Sequence, residues 1–143
     1  GSLKSYLTFV DTETMTATLE KPINADISAN LMNSSGVTLA GDYLYFTGGT
    51  LTVSCISLKT WKVEEYIQVN QDAPQARYLT CNVVADPKKN LLYVSVSNDL
   101  NEAIVSDGQV LVYDCSGDTP QLVMRLENQA SYPVNIYPMS QFE

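Results

Sequence analysis

GDYLYFTGGTLTVSCISLKTWKVEEYIQV, residues Gly41 to Val69, decides the fold. Tyr43 to Thr47 is a short aromatic and β-branched run that stops at Gly48-Gly49. Leu51 to Leu58 alternates, with Leu51, Val53 and Cys55 set against Thr52 and Ser54, and breaks at Lys59-Thr60. Trp61 to Val69 is a third extended run, in which apolar Trp61, Val63 and Ile67 oppose Lys62, Glu64 and Gln68. Alternation of period two, bounded by Gly, Ser and Thr, marks half-buried antiparallel strands. Three of them joined by short turns make a meander.

Working outward, the meander recurs. Leu92-Tyr93-Val94 lies over Leu44-Tyr45-Phe46, within NLLYVSV from Asn90 and DYLYFTG from Asp42. A strand, polar turn and returning strand occurs three times, as FVDTETMTATLEKPI from Phe9, CISLKTWKVEEYIQV from Cys55 and VYDCSGDTPQLVMRL from Val112, with Val10, Ile56 and Tyr113 aligned. Strand-only units repeating at about 45 to 50 residues fall in the range of propeller blades.

The pattern resembles β-propeller blades of the WD40, YVTN and kelch kinds. Leu44-Tyr45-Phe46-Thr47, Leu92-Tyr93-Val94-Ser95, Val10-Asp11-Thr12-Glu13-Thr14 and Tyr113-Asp114 carry the resemblance, and Gly48-Gly49 with Trp61 resembles the double glycine and aromatic of a kelch blade. It implies an all-β, propeller-like domain over residues 3–139 built of antiparallel four-stranded blades. Two blades are complete, at 35–69 and 78–126. Two are partial, at 5–23 and at 132–137, where Pro133 and Pro138 limit a strand to an edge or a short run. A closed ring needs about four blades or more. The chain therefore reads as a fragment of a longer propeller, with self-association through open sheet edges or a β-sandwich as the alternatives.

Composition narrows the function. With 16 acidic residues, 8 basic residues and a net charge of −8, the 143-residue chain lacks the clustered cations that nucleic-acid binding needs. No apolar run approaches the roughly 18 residues of a membrane-spanning helix, so no membrane insertion is expected. There is no His, which removes Ser-His-Asp, Cys-His and His-metal chemistry. Paired carboxylates remain at Asp11/Glu13, Glu64/Glu65 and Asp99/Glu102, but strand neighbours point to opposite faces and turn aspartates cap their own backbone. No enzyme activity and no cofactor is expected. The three cysteines, Cys55, Cys81 and Cys115, lie in or at the ends of apolar strands and read as free buried thiols, with one disulfide and a spare thiol as the alternative. That favours an intracellular setting, cytoplasmic or nuclear, over an extracellular or periplasmic one.

The loop Asn98 to Gly108 interrupts the second blade. Its oxygen side chains miss the EF-hand spacing, so no metal is assigned. Insertions of this kind lie at a rim, where they either meet partners or are simply solvated. Asp99, Leu100, Asn101, Glu102 and Ile104, together with Trp61 as the aromatic expected to be exposed, form the candidate partner contact. The remaining tyrosines are expected to pack between sheets. The functional expectation is a non-catalytic scaffold presenting rim loops to a protein or peptide. The alternative is a secreted or cell-surface YVTN-like protein recognising carbohydrate or another extracellular ligand, and the thiol state separates the two.

Overall fold

The computed structural model describes residues 5–23, 37–48, 51–76, 78–79, 83–97, 108–127 and 136–141. Its strands are all antiparallel, so the chain is all-β as expected. A hairpin of β1 (Ser5–Asp11) and β2 (Thr16–Ile23) comes first. The first sheet is a four-stranded meander of β3 (Val37–Ala40), β4 (Tyr43–Gly48), β5 (Thr52–Ser57) and β6 (Val63–Gln68). One helical turn, α1 (Val69–Asp72), leads to the second sheet. There β7 (Tyr78–Leu79) and β8 (Val84–Asp86) both pair with β9 (Leu91–Ser97), followed by β10 (Gln109–Asp114) and β11 (Gln121–Leu126).

Some boundaries differ from the sequence reading. The innermost strand expected from Tyr78 to Ala85 pairs as two pieces, Tyr78 with Ser97 and Val84 with Tyr93, in registers displaced by two residues. The run from Trp61 to Val69 is strand only from Val63 to Gln68, because Trp61 takes φ 59° and Val69 opens α1. Ile136 and Tyr137 carry no strand pairing and precede a 3-10 turn at Met139–Gln141, while residues 132–135 lie outside the described residues.

One kind of cap recurs in three turns. Asp11 Oδ1 accepts the N–H groups of Glu13 and Thr14 at 2.9 Å, and Met15 closes the turn at φ 56°. Ser57 Oγ accepts those of Lys59 and Thr60 at 3.3 Å, and Trp61 closes that turn. Asp86 Oδ1 accepts those of Lys88 and Lys89 at 3.1 and 3.3 Å, and Asn90 closes it at φ 54°. A short side-chain oxygen satisfying the turn's own donors, followed by a left-handed residue, is one solution used three times. Asn tolerates the left-handed region, whereas Met15 and Trp61 occupy it as bulky exceptions. Asp114, aligned with Asp11 and Ser57, accepts from Ser116 N–H at 2.8 Å and opens a longer turn. The returning strand carries a bulge in the aligned hairpins β1–β2, β5–β6 and β10–β11, at registers between Phe9/Val10, Val53/Ser54 and Val112/Tyr113.

Two hydrogen bonds also match across the sheets. Leu58 N–H donates to Asp42 O, and Cys115 N–H donates to Asn90 O, each at 2.8 Å. The middle strands of the two meanders thus correspond in backbone, with Leu44 standing for Leu92, Tyr45 for Tyr93, Cys55 for Val112 and Ile56 for Tyr113.

The core shows which faces meet. Tyr45, Val53, Cys55 and Ile67 of the first sheet pack with Leu92, Val94, Leu111 and Tyr113 of the second. Leu44, Phe46, Ile56 and Val63 lie on the first sheet's other face, in a separate cluster. The first sheet therefore contributes its Tyr45 face, while the second contributes the face equivalent to Leu44 and Ile56. Non-equivalent faces are in contact. The first strands of the two sheets also run together, where Thr38 Oγ1 accepts the Ala85 N–H at 3.1 Å and satisfies an edge donor of β8.

A tyrosine-lined cleft between the sheets

Above this core, at the end where the hairpin turns gather, the sheets separate into a cleft of about 310 Å³. One wall is the first sheet. Gly41, at φ 56° and with open space where a Cβ would project, makes the tight turn between β3 and β4. That turn sets Asp42 and Tyr43 on the lip. Alternation on β4 then places Tyr43 and Tyr45 on one face, with ring centroids 6.1 Å apart. The bulge in β6 turns Tyr66 toward the same face as Ile67, so its ring stands 5.4 Å from Tyr45. The other wall comes from the second sheet, with Leu91, Leu92, Cys115 and Asp118.

Burial governs the ionisation of these groups. It pushes the Tyr45 phenol up to about 12, with nearby Cys115 and Cys55 adding to the effect. Tyr66 rises too, first from burial and then from its hydrogen bond to the Cys115 sulfur. Burial raises Cys115, and the Tyr66 bond partly opposes this. Cys55, 2 % exposed beneath Tyr45, is pushed up to about 11 by burial, with Glu64 next. Tyr45 and Tyr66 are therefore neutral phenols near pH 7 and Cys115 a protonated thiol, which favours holding a ligand over attacking one. Charge is confined to the lips, at Asp42 and Asp118. Lys59 pairs with Asp42 from outside the cleft, through two well-exposed side chains.

The candidates singled out in the sequence lie elsewhere. Asp99, Leu100, Asn101, Glu102 and Ile104 fall outside the described residues, and their flanks Ser97 and Gln109 sit at the end of β9 away from Asn90 and the cleft. Trp61 is half-buried, with its ring edge-on to Phe9 of the β1–β2 hairpin at 5.5 Å and 88°. Among the carboxylate pairs, Asp11 accepts the Glu13 backbone N–H, which with the Thr14 N–H holds its pKa low. Glu64 and Glu65 are both exposed on β6. Cys55 and Cys115 are free thiols, and Cys81 lies outside the described residues. Among the described residues, no group of three His, Cys, Asp or Glu side chains could hold a metal, and no helix is long and apolar enough to cross a membrane.

The sequence reading assigned the tyrosines to packing between sheets, and Tyr45 does pack there. It missed that Tyr43 and Tyr66 extend the same row into an opening. Spacing on β4 carried the signal for Tyr43. Nothing in the sequence marked the bulge that turns Tyr66. Comparison with family models, curated proteins and solved structures gives no match.

Proposed function

We propose that the chain is a β-propeller-type interaction scaffold, non-catalytic, that receives a protein or peptide partner at the cleft between its two sheets. The observation that carries the propeller reading is the contact of non-equivalent faces. A sandwich of two repeats related by a two-fold axis brings equivalent faces together. A propeller stacks the front of one blade on the back of the next, which is a head-to-tail relation. Tyr45 and Cys55 against Leu92 and Tyr113 supports the second arrangement. The abutting first strands, β3 and β8, fit the inner strands of neighbouring blades. The outward face of β10 and β11 continues the pattern, because Met124 and Leu126 stand 53 % and 38 % exposed where a further sheet would lie.

The scaffold reading follows from what lines the cleft. Neutral rings and a few polar groups at the lip are the make-up of a recognition site. Its test is selection of a random-peptide library on the immobilised chain, counter-selected against the double variant Tyr43→Ala/Asp118→Ala. Both side chains are on the cleft surface, so the fold survives their truncation, as circular dichroism would verify. A peptide family retained by the parent and lost by the variant supports the reading. Failure to enrich any such family overturns it.

A further inference from the structure

We infer that the cleft recognises a basic side chain, arginine or lysine, presented by an extended peptide; this rests on the scaffold reading above. The cleft offers an open ring at Tyr43, 42 % exposed, with buried Tyr45 and half-buried Tyr66 next to it in a row spaced at 6.1 and 5.4 Å. A cation over such a ring is attracted by its quadrupole, more strongly where water is displaced. Carboxylates stand on opposite lips, Asp42 from the first sheet and Asp118 from the second, and no lining residue is basic. A long basic side chain entering the cleft has a carboxylate from each sheet and the open ring of Tyr43 as its partners. A volume of about 310 Å³ is at the small end for a drug-sized ligand and ample for one such side chain.

The chain itself shows that an ammonium is accommodated at this lip. Lys59 lies on Asp42, and its pKa is raised by that carboxylate and, to a lesser degree, by Tyr43. Both members of the pair are well exposed, so the bond is weak and exchangeable. Lys59 thus shows, from outside the cleft, that the Asp42 carboxylate takes a cation in exchangeable contact. The net charge of −8 adds a long-range pull on a basic partner.

Fluorescence anisotropy with a labelled hexapeptide of alternating arginine and glycine tests this on the full chain. The controls are the same peptide with citrulline, which keeps the shape and removes the charge, and with glutamate. The arginine peptide is expected to bind about tenfold or more tightly than the citrulline peptide. Tyr43→Ala and Asp118→Asn should each weaken it about fivefold or more, while Lys59→Met, by freeing Asp42, should tighten it. Equal binding of the citrulline peptide would overturn the inference. So would arginine binding untouched by Tyr43→Ala and Asp118→Asn, which would assign it to the diffuse acidic surface. Displacement of the arginine peptide by a gluco-hexasaccharide, at concentrations where the glutamate peptide does nothing, would reassign the cleft to carbohydrate. Selected peptides without a basic residue would also overturn it, and would leave the scaffold reading in place.

Discussion

The Tyr113 hydroxyl donates to Asp72 Oδ2 at 2.9 Å and so fastens β10 of the second sheet to the helical turn that leaves the first. The ring is 1 % exposed, and burial followed by the Asp72 bond raises its pKa. Arg125 adds a bond from its guanidinium to the Asp72 backbone oxygen. Tyr113→Phe keeps the ring and removes the tie, leaving a half-buried carboxylate without its donor. Hydrogen bonds to charged groups contribute about 1.5–3 kcal/mol, and that is the expected loss in urea unfolding. An unchanged midpoint would mean that packing of the ring alone joins these elements.

Tyr45 and Tyr93 occupy equivalent positions and should differ in consequence. Tyr45 is 5 % exposed between the sheets, so Tyr45→Ala should cost about 3–5 kcal/mol. Tyr93 is half-buried on the outward face, so Tyr93→Ala should cost about 1–2 kcal/mol, in keeping with its smaller buried area. Equal losses would contradict the contact of non-equivalent faces.

The turn caps predict an acid limb. Asp86 is held below the usual carboxylate range, chiefly by hydrogen bonding from Ser140 and then by the Lys89 and Lys88 N–H groups. A lowered folded pKa contributes stability that is present above the unfolded value and lost as pH falls through the folded one. Asp86→Asn should therefore lower stability at pH 7 and flatten its decline between about pH 5 and pH 3, with the remaining slope set by groups such as Asp11 and Asp114, also held low by their turns. Conversely, Ser57→Asp places at the second hairpin the residue its counterparts use, and should raise stability by about 0.5 kcal/mol at pH 7. A midpoint lowered by Ser57→Asp would show that the three turns are not interchangeable.

Cys55 should be silent while the chain is folded. With its pKa pushed up to about 11 and its side chain 2 % exposed, little thiolate forms near neutral pH and little reagent reaches it. Iodoacetamide at pH 8, read by peptide mass spectrometry, should label Cys55 only in urea, with half-buried Cys115 reacting earlier. Because the folded thiol titrates above its ordinary value of 9.0, its contribution is whole below that value and fades as pH rises toward about 11. Labelling of Cys55 as fast in the fold as in urea would sink this reading.

The strands and their order were readable because alternation survives wherever one face is buried, as from Leu51 to Leu58. The equivalence of Leu44-Tyr45-Phe46 with Leu92-Tyr93-Val94 was readable as well, and the backbone obeys it. Burial was not transferable along that alignment. Which of two equivalent faces is covered depends on the neighbouring sheet and leaves no mark on the residue itself. Tyr66 was obscured by a bulge, which breaks the two-residue period. Val69 reads as strand in the sequence because a β-branched residue ending an extended run gives no sign that one helical turn follows. Trp61 read as exposed because it follows a turn, and the edge contact with Phe9 depends on a hairpin distant in sequence.

Contact between non-equivalent faces gives the pair of sheets a direction. Each sheet added to such a stack covers one kind of surface and uncovers another of the same kind, so tandem duplication of the coding segment lengthens the array without inventing a new interface. The same property is a hazard. A surface that welcomes the next unit cannot tell a continuation of its own chain from a stranger's, and only a ring that returns to its starting face leaves no vacancy. Molecules built this way are shaped as much by how their series ends as by the fold of any one member.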